Sequence, residues 1–290
     1  MSTELKSPSA AERTIRVDAE RELFVTERGT GDPVLMLHGG GPGASGMSNF
    51  SRNVDALAER HRVIVPDLPG YGRSTKLLDH SDPFRSLADA IRGLLDALEL
   101  DRAHLIGNSY GGAAALRLAL DTPERADRLV LMGPGGIGTT RGLPTDGLKS
   151  LLGYYGGDGP SREKLETFIR THLVADGAAV ADEVIDERYE ASLDPDVVAN
   201  PPLRRPSGPF AARTLWRMDF TRDKGLSKLP NPTLVVWGAE DKVNRPAGGP
   251  TLARSIPNCE LWEVPDAGHW VQWERADEFN DRVLEFLGES

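Results

Sequence analysis

Gly107-Asn108-Ser109-Tyr110-Gly111 is a G-x-S-x-G run, and it occurs once in this chain of 290 residues. With 31 glycines present, the pattern alone is weak. Its context gives it weight. The apolar run His104-Leu105-Ile106 leads into it, and Gly112-Ala113-Ala114-Ala115-Leu116 continues it as a helix. A strand–turn–helix with small flanking residues exposes a serine Oγ on a strained turn, where helix-terminal amides favour negative charge. The chemistry on offer is nucleophilic attack on a carbonyl. Serine is a weak nucleophile and needs a base held by a carboxylate. Where such an elbow closes a parallel strand, the acid and then the base follow it in the chain. Asp241 follows the apolar run ending Val236-Trp237-Gly238, whereas Asp219, Asp223 and Asp266 directly follow no such strand. His269 follows the run 259–264 through Pro265-Asp266-Ala267-Gly268. The other five histidines precede Ser109 or, for His172, fall before the acid, so His269 alone satisfies the order.

A second glycine-rich loop, His38-Gly39-Gly40-Gly41-Pro42-Gly43-Ala44, directly follows the apolar run 34–37. A loop of this kind supplies a further oxyanion N–H, and missing Cβ atoms let its backbone approach a substrate. The same region also matches G-x-G-x-x-G over Gly41–Gly46, with Asp67 about 20 residues on, as a dinucleotide site requires. Pro42 removes an amide donor, however, and that reading leaves His38 idle and the serine, acid and base order unexplained. Residues 67–74 (DLPGYGRS) read as a strand-end turn packed beneath the site.

Arg188 is the one candidate for binding an anion. Ala181, Val184, Ile185 and Arg188 share a helix face, and the neighbours at −4, −3, +3 and +4 include no acid. An inward arginine without a local partner suits a carboxylate, although a snorkelling side chain or a distant ion pair is the alternative. Trp270, beside the base, fits core packing equally well.

These residues require a sheet that carries their loops to one edge. Runs 14–17 and 23–26 read as an antiparallel pair, and from residue 34 strand-length runs (34–37, 63–65, 104–106, 129–132, 232–237, 259–264) alternate with amphipathic stretches, as in βαβ units. Leu87, Ile91, Leu94, Leu95 and Leu98 share one helix face, and Ala276, Phe279, Val283, Phe286 and Leu287 form a closing helix. Residues 137–225 contain helical stretches at 163–173 and 180–193 but no strand pattern. The expected organisation is an α/β core over residues 14–136 and 226–288, a helical lid over 137–225, and a flexible start over 1–13.

Lys+Arg 34 against Asp+Glu 44 leaves a net charge of −10, which argues against nucleic acid or an anionic membrane as the main partner. One cysteine, Cys259, excludes an internal disulfide and a cysteine-based zinc cluster. No signal peptide or membrane span is readable, so a cytoplasmic location is expected.

With these pieces assembled, the chain resembles the α/β-hydrolase superfamily over nearly its whole length. More closely, it is similar to the meta-cleavage product hydrolases, which break carbon–carbon bonds in ring-opened aromatic compounds. That narrower resemblance rests on residues 38–44 with Ser48-Asn49 beyond, Asn108 before the serine, Leu131-Met132-Gly133-Pro134-Gly135-Gly136, and Gly268-His269-Trp270-Val271-Gln272-Trp273-Glu274. It implies a triad of Ser109, Asp241 and His269, with the Gly40 and Tyr110 N–H groups as oxyanion donors. It further implies that Gly41, Asn49, Asn108, Arg188 and Trp270 contact the dienol-carboxylate end of a small anionic dienoate. No metal or cofactor is expected, and a homo-oligomer, dimer or higher, is. Two departures bear on specificity: Tyr110 stands where relatives often carry Met, and residues 201–209 (PPLRRPSGP) are unusually polar for a lid. A plain carboxylesterase or a cofactor-free haloperoxidase-like hydrolase is the alternative, since either keeps the triad and loses the need for Arg188.

Overall fold

The computed structural model describes residues 11–288. Its strands are β1 Ala11–Arg16, β2 Glu22–Arg28, β3 Pro33–Leu37, β4 Arg62–Pro66, β5 Ala103–Asn108, β6 Ala126–Met132, β7 Thr233–Gly238 and β8 Cys259–Val264. They form one sheet in the order β1-β2-β4-β3-β5-β6-β7-β8. β1 and β2 pair antiparallel, as do β2 and β4, and every other pairing is parallel. The βαβ alternation read from the periodicities is therefore present, in the α/β-hydrolase architecture that the resemblance implies.

The central strands are apolar along their length because both faces of the sheet are covered. Successive side chains point to opposite sides. Val34, Met36, Ile106, Val130, Met132, Leu234 and Val236 pack with Phe50, Val54 and the closing helix residues Phe279, Val283 and Phe286. Leu35, Leu37, Leu105, Leu129, Leu131 and Val235 face the other way, onto Leu87, Ile91, Leu94 and Leu95 of the helix Pro83–Ala97.

The flexible start expected through residue 13 is corrected at its end. β1 begins at Ala11, because Ala11 pairs with Glu27 and Arg13 donates to the Glu27 carboxylate at 3.3 Å. The remainder of that expectation, residues 1–10, lies outside the described residues.

Between β6 and β7 the described chain is helical and contains no strand. The stretch expected as one helix over 163–173 is an α-helix at Arg162–Thr167 that widens into a π-turn at Phe168–Leu173. Wider turns of this kind cost hydrogen-bond geometry and occur preferentially at functional sites. Here the widened turn buries Phe168, Ile169 and Leu173. The helix Asp182–Ser192 starts on two acids, Asp182 and Glu183, which suit the positive end of a helix dipole. With Leu151 and Tyr154 from the helix Asp146–Gly153 and its cap, these helices bury Leu165, Phe168, Ile169 and Ile185 against Val243, Trp270 and Trp273 of the core.

The parallel strands all end on one edge of the sheet. From that edge come residues 38–44 after β3, Ser109 after β5, residues 133–136 after β6, Asp241 after β7 and His269 after β8. Convergence of loops at the carboxyl ends of parallel strands is what builds sites on such sheets.

The helix Ser109–Asp121 runs back against its own strand, and only glycine permits the approach. A Cβ on Gly111 would stand 2.2 Å from the Leu37 carbonyl oxygen, and one on Gly107 would stand 2.6 Å from the Gly111 oxygen. Both obstacles are backbone. Gly111→Ala is expected to cost about 2–4 kcal/mol in chemical denaturation. Gly153→Ala, whose Cβ meets nothing within 4 Å, should change stability by less than about 0.5 kcal/mol.

Candidate active site

Ser109 follows β5 without an intervening loop residue and opens the next helix with φ +52°. A non-glycine residue in this left-handed region costs roughly 1–3 kcal/mol, so the surrounding structure must over-determine it. The constraints are visible: β5 is buried throughout, and the Ser109 carbonyl accepts from the Gly135 N–H at 2.9 Å. The strained turn lifts the side chain off the sheet edge into a small cavity. Ser109 lines that cavity together with Gly39, Gly40, Gly41, His269 and Trp270.

Asp241 and His269 meet beside it. The Asp241 Oδ2 lies 2.7 Å from His269 Nδ1, and both side chains are buried. The other carboxylate oxygen, Oδ1, accepts the N–H groups of Val243 and Asn244 at 2.8 Å each. With the carboxylate so anchored, the proton belongs on Nδ1, which leaves Nε2 as the free basic nitrogen in the cavity. Glycine is again required where the pair forms. A Cβ on Gly133, at φ +45°, would stand 3.1 Å from Asp241 Oδ2 and 3.2 Å from His269 Nδ1. The competing acids have other duties. Asp219 accepts from Gly138, Thr140 and Thr221, and Asp223 pairs with Arg117 at 2.9 Å. Asp266 is exposed.

Gly40 and Tyr110 are neighbours across the two loops. A Cβ on Gly40 would stand 3.2 Å from the Tyr110 Cβ. Two residues that sequence reasoning did not assign to the site hold this loop. His38 Nε2 accepts the Leu68 N–H at 2.8 Å, which leaves Nδ1 to donate to the Gly39 carbonyl at 2.8 Å. Tyr71 Oη donates to the Gly40 carbonyl at 3.1 Å. A histidine directly before a glycine run, at the end of a buried strand, was the available signal for the first. The second lies 31 residues from its partner, with no local pattern to reveal it.

Arg188 is 4% exposed, on the helix Asp182–Ser192, and lines the same cavity. Its Nε donates to the Pro42 carbonyl at 2.9 Å, and one of its terminal nitrogens lies against Gly41. No carboxylate among the described residues pairs with it. Burial lowers its pKa to about 10, a measure of how poorly the charge is solvated. The close fit of this helix also fills the G-x-G-x-x-G loop: a Cβ on Gly43 would stand 1.9 Å from the Arg188 carbonyl oxygen. Gly43 is thus taken up in packing this helix, and Pro42 has no amide to donate.

The remaining expected contacts gather around the same cavity. Asn49, Asn108 and Trp270 line it. The Asn49 Oδ1 accepts from Gln272 Nε2 at 2.8 Å, which leaves its NH₂ free to serve a ligand. Asn108 Nδ2 donates to the His269 carbonyl at 3.3 Å. Trp270 is buried and stacks on Trp273 at 5.0 Å, with the Arg188 guanidinium 5.7 Å from its ring. It serves packing and the cavity wall together. The cavity holds about 20 Å³, whereas a larger one of about 410 Å³ lies across Arg188, lined by Ser45, Met47, Tyr71, Glu187 and Val197.

Full burial pushes the His38 imidazole down to about 4 from its ordinary 6.5, with Asp67 opposing the shift. The unfolded chain therefore binds the proton first, and stability is lost as the pH falls from about 6.5 towards about 4. This residue alone accounts for a loss of up to about 3 kcal/mol over that window. His38→Gln, which keeps an acceptor for Leu68, is expected to flatten the pH dependence of the denaturation midpoint between pH 7 and 5.

Residues 32–276 match the family model described as the alpha/beta hydrolase fold. The chain is 38% identical over 271 residues to a 2-hydroxy-6-oxo-6-phenylhexa-2,4-dienoate hydrolase of Burkholderia cepacia, covering 91% of each chain. It is 39% identical over 272 residues, again 91% of each, to a 2-hydroxy-6-oxononadienedioate/2-hydroxy-6-oxononatrienedioate hydrolase of a Pseudomonas species. A meta-cleavage product hydrolase of Pseudomonas fluorescens IP01, solved in complex with acetates, superposes with a TM-score of 0.85 at 34% identity, covering 96% of this chain and 97% of that one. The strained serine, the buried Asp–His pair and the whole-length match agree: this chain belongs to the α/β-hydrolase family, among its meta-cleavage product hydrolases.

Proposed function

We propose that this protein hydrolyses a carbon–carbon bond in a 2-hydroxy-6-oxohexa-2,4-dienoate formed by ring cleavage of a catechol. The observation that carries the reading is Arg188: a buried guanidinium without an acid partner, lining the cavity that holds Ser109 and His269. A plain esterase has no use for such a charge. A bidentate fork suits the substrate carboxylate.

In this reading Arg188 holds the carboxylate, with Asn49 and Asn108 beside it. His269 shuttles a proton from the 2-hydroxyl to C5, which converts the dienol to a vinylogous 1,5-diketone. Ser109 then attacks the C6 ketone as His269 Nε2 takes its proton. The N–H groups of Gly40 and Tyr110 receive the oxyanion, in a water-poor site where such donors act most strongly. Collapse of the adduct breaks C5–C6, and its electron pair runs through the conjugated chain to the oxygen on C2. Protonation there yields 2-hydroxypenta-2,4-dienoate. Water, activated by His269, releases the acyl group from Ser109 as a carboxylic acid.

The relatives named above differ in the group beyond the ketone, one bearing a phenyl ring and the other a second carboxylate. Leu151, Phe168, Leu173 and Trp270 line the cavity, and Arg188 is its one permanent cation. A second carboxylate would be buried unpaired. An uncharged, apolar substituent is therefore the proposed partner of this end. The cavity is narrow, and in this reading residues 137–225 move to admit the substrate, as a lid does.

A phenyl-substituted dienoate should be turned over with at least about tenfold higher kcat/KM than the dioate, and far better than p-nitrophenyl acetate. Activity confined to the ester would sink the carbon–carbon reading. Ser109→Ala is expected to lower kcat by about 10⁴-fold or more while still binding the dienoate. Arg188→Ala should lower kcat/KM on the dienoate by about 100-fold and leave ester hydrolysis within about threefold. Equal losses on both substrates would refute the carboxylate role.

A further inference from the structure

Glu274 ends the short helix Val271–Glu274, five residues after the base, and carries no part of the chemistry above. Both of its carboxylate oxygens are engaged by backbone, one from the loop of the base and one from the helical insertion. Oε1 accepts the Gly268 N–H at 2.9 Å, directly before His269. Oε2 accepts the Ala175 N–H at 2.7 Å, in the helical insertion. One residue along, the His269 N–H donates to the Leu173 carbonyl at 2.8 Å.

The two backbone segments are in direct contact. A Cβ on Gly268 would stand 2.7 Å from the Val174 carbonyl carbon and 2.8 Å from the Ala175 nitrogen. Residues 173–175 and 268–269 are thus laced edge to edge, with one carboxylate as a rung. Burial raises the Glu274 carboxyl pKa, opposed by the three N–H groups it faces and by His269. A charge kept at such a cost needs its donors, and they need it, because a buried amide without an acceptor costs about 1–3 kcal/mol.

We propose that Glu274 is a positioning residue: its carboxylate ties the helical insertion to the backbone of His269, so that the base is aligned on Ser109 only while the insertion is docked. The Asp241 contact fixes the imidazole from its far side and Asn108 Nδ2 reaches the His269 carbonyl, but the N–H side of the backbone that carries the ring is held by the Leu173 carbonyl and Glu274. Insertion and base therefore move together. The inference rests on His269 as the base of Ser109 and does not depend on which acyl group is cleaved.

Two variants approach the tie from opposite ends. Glu274→Gln keeps the shape but replaces one accepting oxygen with a nitrogen that cannot accept. Ala175→Pro removes the N–H on the insertion side, and Val174, at ψ 159°, already has the extended backbone that precedes proline. Each is expected to lower kcat by roughly 10–100-fold on dienoate and on p-nitrophenyl acetate, with KM changed less than about threefold. Inactivation of Ser109 by phenylmethylsulfonyl fluoride, measured well below the melting temperature, should slow by the same factor. The double variant should lose no more than the worse single one, because both break one tie. Unchanged ester and inactivation rates in Glu274→Gln, or fully additive losses in the double variant, would overturn the proposal. A parent chain that cleaves no dienoate refutes the proposed substrate instead, and the ester and inactivation rates still decide the role of Glu274.

Discussion

A helix that starts directly from a buried strand, with a left-handed residue at the junction, is the constraint on which the rest of this structure depends. Ser109 occupies that junction at φ +52°. It is kept there because Gly107 and Gly111 let the helix lie against β5 and the end of β3, closer than any Cβ allows. That close approach places Tyr110 beside Gly40 and the Ser109 carbonyl on the Gly135 N–H. Relaxing the turn would lower the local strain and pull the nucleophile off the edge where the acid, the base and the glycine loop converge.

Electrostatics divides the site in two. Around the nucleophile, Asp241 is anchored by two amides and His38 bridges Leu68 and Gly39 as a neutral ring, while His269 Nε2 is left without a partner. Around Arg188 the compensation is incomplete. The Pro42 carbonyl and the Trp270 ring are the neighbours of a buried guanidinium. In a chain of net charge −10, one buried uncompensated cation is a local exception, and it gives the cavity a sign opposite to that of the molecule. The same low dielectric that makes Arg188 costly to bury makes it effective once an anion arrives.

The triad order, the elbow and the alternation of strands with helices were legible because each is written in local spacing. Asp241 and His269 stood out by position alone, each just past a strand run at the same edge of the sheet. Arg188 was legible for a different reason: its helix face is apolar and its neighbours at one turn carry no acid. Less was legible in the insertion. The π-turn at Phe168–Leu173 departs from the single helix expected there, since a widened turn preserves the apolar spacing well enough to pass for an α-helix. The short helices Gly46–Phe50 and Gly248–Ser255 carry glycine or proline where a helix former would be expected, and the first is held by a capping box of Ser45 and Ser48.

By itself, the sequence determined the run of strands, the order of Ser109, Asp241 and His269 along the chain, and an arginine at position 188 with no acid at helical spacing. Period and spacing are local, and they survive without the fold. Only the tertiary structure decided that Tyr71 and His38 hold the glycine loop and that Asp219 and Asp223 are spoken for. It also decided that one carboxylate, Glu274, joins the insertion to the loop of the base. Each of these joins groups tens of residues apart, or depends on which backbone amide a buried oxygen happens to face. No spacing in the chain encodes such a contact; it exists only once the layers have packed.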